Sequence, residues 1–351
     1  MRYKLLGNSG LRVSELCLGA MTFGDLPQFA NFGASADESR QIFDAFAEKG
    51  GNFIDTANFY TNGESEKFVG EFVKAEREKW VVATKYSLST DPRNINAFGN
   101  HRKNMVQAVE ASLKRLNTEH IDLLWLHAWD MTTPVEEVMR AFDDLVRAGK
   151  VFYIGISDTP AWIIAQANTL ASLRGWTPFV GLQIEYSLRE RTVERELIPM
   201  AEAFKIGVTA WSPLGGGVLT GKYNKGETGR SSGEGMQPIK ERDLKIAEEV
   251  LKIAGELGKP ASQVALNWLR RKNHTIPVIG ARKVEQVKEN LDCLDWNLSD
   301  EHLKQLDEIS AIDLGFPLNF FGGPMVQDWA FGGGLKQIDN LSEATKAAAG
   351  I

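Results

Sequence analysis

Four residues of this 351-residue chain carry side chains that together could move a proton: Asp55, Tyr60, Lys85 and His127. Tyrosine is a poor acid–base group at neutral pH, because an unperturbed phenol ionises near ~10. An ammonium beside it favours the phenolate and lowers that value, and a carboxylate keeps the ammonium in place. A histidine can orient a carbonyl oxygen by donating a hydrogen bond to it. Such a set suits proton delivery to an oxygen becoming negative, as in carbonyl reduction, and it needs a cofactor to supply the hydride. Each residue also has an ordinary reading. Asp55 caps the loop after its strand, Lys85 snorkels from a strand end, His127 closes an apolar strand, and Tyr60 is a half-buried loop aromatic. Their meaning rests on whether the chain brings them together.

Three of the four end short apolar runs that read as buried strands: 52–56 ends with Asp55 and Thr56, 80–85 with Lys85, and 121–127 with His127. Further strand-like runs are 15–19, 151–157, 179–186, 207–212 and 275–280. Between them lie helical patterns at 37–49, 64–74, 105–116, 194–204, 244–257 with 261–271, and 284–291. Two more helices open at Thr133-Pro134 and Thr159-Pro160, where threonine reads as the N-cap and proline as the first helical residue. Eight alternations of strand and helix favour a closed (β/α)8 TIM barrel over an open doubly wound sheet. In such a barrel the working residues collect at the carboxyl ends of the strands. Those positions hold Asp55, Lys85, His127, Ser157, Gln183, Trp211 and Gly280. Residues 3–13, folded about Gly7-Asn8-Ser9-Gly10, read as an N-terminal β-hairpin that plugs the opposite mouth. Residues 1–351 then form a single barrel domain, with a long loop after the seventh strand and a C-terminal extension from about residue 311.

Composition narrows the function classes. A net charge of −6, with no long lysine or arginine run, argues against a nucleic-acid surface. No stretch reaches the ~18 apolar residues of a membrane span, and the amino terminus lacks the apolar core of a signal peptide. The two cysteines, Cys17 and Cys293, form neither a disulfide framework nor a metal-type pair, which suggests a reducing, cytoplasmic setting.

The ordered motifs resemble those of the aldo-keto reductase superfamily. They are Leu18-Gly19-Ala20-Met21-Thr22-Phe23-Gly24; Asn52-Phe53-Ile54-Asp55-Thr56-Ala57 with Tyr60, Gly63, Ser65 and Glu66; Lys85; and Asp122-Leu123-Leu124-Trp125-Leu126-His127. Gly155-Ile156-Ser157, Gln183-Ile184-Glu185-Tyr186, Trp211-Ser212-Pro213-Leu214 through Gly221-Lys222, and Pro277-Val278-Ile279-Gly280 follow in order. By this resemblance Asp55, Tyr60, Lys85 and His127 are the catalytic tetrad. Tyr60 is then the acid in reduction and the base in alcohol oxidation.

The resemblance also implies a nicotinamide cofactor across the mouth. Ser157, Asp158 and Gln183 match positions that hold the carboxamide, and Trp211 matches the ring that stacks on the nicotinamide. Asp158 departs from the asparagine common there: an ionised carboxylate accepts from the carboxamide amine but cannot donate. Thr22, Asp55, Ser212, Pro213, Leu214, Gly216, Leu219 and Lys222 complete the inner groove, and Gly280, Arg282, Gln286 and Asn290 match the adenosine end. Arg282 suits a 2′-phosphate, since a guanidinium binds phosphate oxygens in bidentate fashion, and so favours NADP(H) over NAD(H).

Other motifs are decoys. Gly216-to-Tyr223 nearly spells a phosphate-binding P-loop, but tyrosine replaces the serine or threonine that ligates magnesium. It reads instead as a cofactor-covering loop continued by the Gly/Ser-rich residues 226–235. No Rossmann fingerprint follows the first strand, and no two histidines are spaced as metal ligands. For the substrate, Phe23, Phe59, Trp129 and Tyr86 are expected to wall an aromatic pocket beside Tyr60 and His127. The tail aromatics Phe316, Phe320, Phe321, Trp329 and Phe331 either fold over that pocket or pack on the barrel's outside, and the alanine-rich end from Glu343 is expected to fray. Two function classes follow: an NADPH-dependent reductase of an aldehyde or ketone, reversible toward the alcohol, and a non-enzymatic nicotinamide sensor or auxiliary subunit on the same scaffold.

Overall fold

The computed structural model describes residues 1–351 except 30–31, 228, 230–237, 273–274, 333, 340, 342–345 and 347–351. A hairpin of β1 (Tyr3–Leu5) and β2 (Arg12–Ser14) precedes the barrel strands β3 (Cys17–Gly19), β4 (Phe53–Asp55), β5 (Val81–Tyr86) and β6 (Ile121–Leu126). The barrel continues with β7 (Val151–Ser157), β8 (Phe179–Glu185), β9 (Gly207–Trp211) and β10 (Ile276–Gly280). The eight strands from β3 to β10 pair in parallel in chain order and close where β10 meets β3. Every residue of β5 is buried, as expected for a parallel strand covered on both faces.

Helices α1 (Ala36–Glu48), α2 (Glu64–Val73), α3 (Arg102–Leu116), α4 (Val135–Arg147), α5 (Ala161–Arg174), α6 (Leu197–Ala203), α7 (Glu241–Leu257), α8 (Ala261–Arg270) and α9 (Val284–Leu291) surround the barrel. Helix α10 (Asp300–Ile309), absent from the sequence reading, follows, and the tail forms α11 (Leu318–Phe321) and α12 (Pro324–Phe331). Among the described residues no helix is long and apolar enough to cross a membrane. Cys17 and Cys293 are buried free thiols.

Apolar side chains fall into two groups. One fills the space between strands and helices; the other, including Leu6, Val13, Phe53, Leu123, Trp125 and Val278, fills the barrel interior. Leu6 and Val13 belong to the hairpin, which therefore plugs the amino-terminal mouth. Its turn fits tightly: Gly7 has φ +56°, and a Cβ there would lie 2.2 Å from the Val180 carbonyl oxygen. With one mouth filled by apolar side chains, polar chemistry is confined to the other.

Two helix starts differ from expectation. Pro134 and Pro160 occupy the cap positions, and the helices begin one residue later. The threonines cap neither helix because their hydroxyls donate elsewhere, Thr133 to Asp130 and Thr159 to the Ser157 carbonyl. The expected helix at 194–204 breaks into a 3-10 turn at Thr192–Glu194 and α6. Pro199 lacks the N–H that an unbroken helix would need there, so the helix starts where proline falls in its first turn.

The Gly63-to-Glu66 segment does more than open α2. Glu66, with no exposed surface, accepts from Thr84 Oγ1 at 2.5 Å and pairs with Arg115 Nε at 2.6 Å. It thereby ties α2 to the strand that carries Lys85 and to α3. We predict that Arg115→Met, which strands this carboxylate, lowers the urea-unfolding free energy by about 3 kcal/mol. Glu66→Gln, which keeps an acceptor for Thr84, should cost less than that. A loss below about 1 kcal/mol in Arg115→Met would mean that water reaches Glu66.

Candidate active site

The register sets the floor of the mouth. Asp55 closes β4 beside Ala83 of β5, and Lys85 lies two residues further along β5, beside Trp125 of β6. Side chains alternate faces along a strand, so Ala83 and Lys85 share the inward face. Lys85 has no exposed surface and Asp55 is 2% exposed. The Lys85 ammonium is ion-paired with Asp55 Oδ2, donates to the Thr56 carbonyl oxygen at 3.0 Å and reaches the Tyr60 hydroxyl at 3.2 Å. Gln183 Nε2 donates to the other Asp55 oxygen at 3.2 Å. His127 follows β6, and its ring meets Tyr60 edge-on with centroids 5.7 Å apart. The four residues expected to act together are thus gathered at one mouth.

Tyr60 is held by an unusual backbone. Thr61 (φ 46°), Asn62 (φ 56°) and Gly63 (φ 85°) take left-handed conformations in succession before α2. Side-chain bonds stabilise this turn: Thr61 Oγ1 donates to the Phe23 carbonyl at 2.6 Å and accepts from Ser65 N at 3.1 Å, while Ser65 Oγ donates to the Ala20 carbonyl at 2.6 Å. Such strain persists only where the surroundings over-determine it.

The electrostatics correct one expectation. Burial raises the Tyr60 pKa above the ordinary phenol value, and it outweighs the lowering by Lys85, which Asp55 partly cancels. Burial lowers the Lys85 pKa, but the charges and hydrogen bonds of Asp55 and Tyr60 prevail and raise it above the ordinary value. His127 is pushed well below its ordinary value, first by burial and then by Lys85, so the imidazole is neutral at pH 7. Its Nδ1 is buried with no hydrogen-bond partner among the described residues. A buried N–H without an acceptor costs desolvation energy, so the ring's one proton belongs on Nε2.

The remaining predicted residues spread around the mouth. Ser157 and Gln183 are buried neighbours at the ends of β7 and β8. Asp158 follows with φ 39°, and its Oδ1 accepts from the Trp211 indole N–H at 3.1 Å. Burial raises its pKa against that bond. Ser212 Oγ accepts from Gly216 N at 3.1 Å, shaping the turn after β9 in which Gly216 and Gly217 have positive φ. Leu214 and Lys222 are half-buried on this loop; residues 228 and 230–235 of its expected continuation lie outside the described residues. Thr22 Oγ1 donates to the Ala281 carbonyl at 2.8 Å, joining the ends of β3 and β10. Gly280 ends β10, and Arg282 N donates to Gln286 Oε1 at 3.0 Å on an exposed surface. Pro213 and Asn290 are buried, and Leu219 is wholly within the apolar core, where it offers no surface to a ligand.

The expected aromatic pocket needs correction. Phe23 has no exposed surface and packs edge-on against Phe72 of α2. Tyr86 faces the helices, edge-on to Phe142, because it follows Lys85 and alternation turns it outward. Phe59 is 46% exposed and Trp129 is half-buried, so these two remain at the mouth. At the ends of β7, β8 and β9 lies a cleft of about 410 Å³ lined by Asp158, Ile184, Glu185, Glu190, Val193 and Trp211, among others. Glu190 was absent from the sequence reading and Glu185 stood there only within a motif; burial followed by Glu190 raises the Glu185 pKa. The tail rings do not line this cleft, and they are not packed away either: Phe316, Phe320 and Trp329 are each more than half exposed. Residues 343–345 and 347–351 of the alanine-rich end lie outside the described residues.

A (β/α)8 barrel with a buried lysine–carboxylate pair, a phenol and a neutral imidazole at its carboxyl mouth holds the groups that a proton transfer needs. Residues 15–311 match the profile of the aldo/keto reductase family. The chain is 39% identical to a norsolorinic acid reductase of Aspergillus flavus, over 97% of this chain and 89% of that protein. It is 38% identical to an NADP(+) aryl-alcohol dehydrogenase of Phanerodontia chrysosporium, over 91% of this chain and 88% of the other. The chain belongs to the aldo/keto reductase family and is an oxidoreductase of that family.

The raised phenol gives a direct prediction. In ultraviolet difference titration of the cofactor-free protein against Tyr60→Phe, the Tyr60 signal should appear only above pH ~10. An onset between about pH 7 and 9 would mean that Lys85, not burial, dominates.

Proposed function

We propose that this chain catalyses the NADPH-dependent reduction of an aldehyde or ketone to an alcohol, reversibly, with carbonyls on aromatic frameworks as the substrate class. One observation carries the reading: Tyr60 hydroxyl stands 3.2 Å from a lysine whose charge Asp55 maintains, with a neutral histidine ring against it. The relatives' names, a reductase and an NADP(+) aryl-alcohol dehydrogenase, support both the reaction and the aromatic class.

The residues present suit a nicotinamide dinucleotide. Gly215, Gly216 and Gly217, all with positive φ, leave the loop after β9 without side-chain bulk at three successive positions, and Lys222 follows on that loop. Ser157, Asp158, Gln183 and Trp211 would hold the nicotinamide end, and Arg282 with Gln286 the adenosine end. When bound, the reduced nicotinamide supplies the hydride that the carbonyl carbon accepts. His127 Nε2–H donates to the carbonyl oxygen and orients it. Tyr60 then delivers its proton to that oxygen as negative charge develops. Its raised pKa keeps the phenol protonated throughout the neutral range, which suits reduction. The Lys85 ammonium stabilises the phenolate left behind, and Asp55 holds the ammonium. In the oxidative direction Tyr60 accepts the proton again.

With aromatic aldehydes as substrates, Tyr60→Phe should reduce kcat by roughly 10²–10⁴-fold while leaving NADPH affinity within about twofold. Undiminished turnover would refute Tyr60 as the proton donor. Separately, Arg282→Ala should erode the preference for NADPH over NADH by about tenfold or more, measured as the ratio of kcat/KM values for the two cofactors. An unchanged ratio would remove the argument for a 2′-phosphate contact.

A further inference from the structure

The segment that carries His127 and Trp129 is tied down at each backbone N–H. His127 N donates to the Tyr86 carbonyl at 3.0 Å, Ala128 N to Ser87 Oγ at 3.1 Å, and Trp129 N to the Asp158 carbonyl at 3.4 Å. Asp130 N donates to Asn100 Oδ1 at 2.7 Å. Asn100, which is fully buried, also donates from Nδ2 to the Ala128 carbonyl at 2.9 Å. The partner that completes this lattice is the Asp130 carboxylate. One oxygen accepts from Asn100 N at 2.6 Å and Thr133 Oγ1 at 2.7 Å; the other accepts from Thr132 N and Thr133 N, both at 2.8 Å.

These bonds join the loop after β6 to the loop after β5, the two strands that carry His127 and Lys85. The facing backbone is shaped to admit the carboxylate. Gly99 has φ +86°, and a Cβ there would lie 2.9 Å from Asp130 Oδ2. Met131, next along the chain, and Ser87, opposite Ala128, also hold positive φ, at 60° and 105°. Non-glycine residues adopt such conformations where the surroundings fix them. Burial raises the Asp130 carboxyl, but its hydrogen bonds outweigh this and hold the pKa at about 2, so the acceptor stays ionised throughout the neutral range.

We propose that Asp130 is a positioning residue: through Asn100 it fixes the loop that seats His127 and Trp129, and so sets the orientation of the carbonyl at the mouth. This rests on the reading of His127 as the group that orients the carbonyl. Asp130 touches no substrate. Its loss leaves the Tyr60–Lys85–Asp55 group in place and loosens the fourth member. The consequence is kinetic, because small misplacements of an orienting group cost large factors in rate.

The test is a double-mutant cycle in kcat/KM for aromatic aldehyde reduction, with NADPH affinity read by fluorescence titration and folding by thermal melting. Asp130→Ala should lose about 30- to 100-fold in kcat/KM, with NADPH affinity unchanged within about twofold. Asp130→Asn, which keeps one acceptor oxygen, should lose less. In a His127→Ala background, itself down by about 10²-fold or more, Asp130→Ala should cost less than about threefold further. Asn100→Ala breaks the same lattice from the other side and should follow the same pattern, which keeps the test available should Asp130→Ala not fold. Asp143→Ala removes a comparable hub at the far end of the barrel, bonded to Thr177 and Arg147. It should lower the melting temperature without that kinetic signature. Full activity in both Asp130→Ala and Asn100→Ala, an equal loss with or without His127, or a parallel loss of NADPH affinity would overturn the proposal. If His127→Ala itself keeps wild-type kcat/KM, the reading of the site falls and the proposal with it.

Discussion

The structure depends on a single costly interaction, the ion pair between Lys85 and Asp55 on the floor of the carboxyl mouth. Both groups are removed from water, and desolvation of two charges is repaid only when geometry is good and the remaining donors and acceptors are satisfied. Here they are. The ammonium also has the Thr56 carbonyl and the Tyr60 hydroxyl, and the second carboxylate oxygen has the Gln183 amide. Those partners come from β8 and the chain after β4, while Lys85 itself stands on β5, so the barrel must close in the right register before the pair is tolerable. Below it lie the apolar side chains of the barrel interior and the hairpin plug. The same pair sets the chemistry above. Burial outweighs its ammonium, which its own carboxylate partly cancels, so the phenol beside it stays protonated through the neutral range instead of ionising.

This balance shows what a sequence can and cannot carry. Asp55, Lys85 and His127 were legible because barrel topology assigns function to strand ends, and strand ends follow from apolar runs. The neighbours of the phenol were legible too; the sign of their summed effect was not. Burial against charge is a difference between large terms, and only positions in space decide it. Phe23 and Tyr86 failed as pocket walls for a simpler reason. Being near a strand end does not say which face a ring takes, and the residue after an inward lysine points outward. At Pro134 and Pro160 the helix boundary was misplaced because the threonine hydroxyls had better partners than the helix amides. The lattice around Asp130 left one local trace, the run Asp130-Met131-Thr132-Thr133-Pro134, which is turn chemistry. Its link to Asn100 joins residues 30 apart in the chain and is invisible without the fold.

The mouth divides into a fixed part and an adaptable part. Asp55, Lys85 and Gln183 are buried and mutually bonded, and His127 and Trp129 sit on a segment whose amides are all engaged. Around them, Phe59 is exposed, the cleft beside Trp211 is open and carries two glutamates, and the tail aromatics Phe316, Phe320 and Trp329 are more than half exposed. This is the arrangement expected when one reaction is kept and the range of substrates is set by loops on a rigid scaffold. The Asp158–Trp211 bond lies at the border between the two parts. It holds the indole edge at the point where a carboxylate replaces the amide expected from the family pattern.

The central claim is that this constellation performs carbonyl reduction. The most direct measurement follows NADPH absorbance at 340 nm with the unmodified protein and a panel of aromatic aldehydes, ketones and dicarbonyls, counting the alcohol formed. The account predicts turnover on members of the panel with one alcohol produced per NADPH consumed. NADPH binding without turnover on any carbonyl would contradict it and would mark the chain as a nicotinamide sensor on a reductase scaffold.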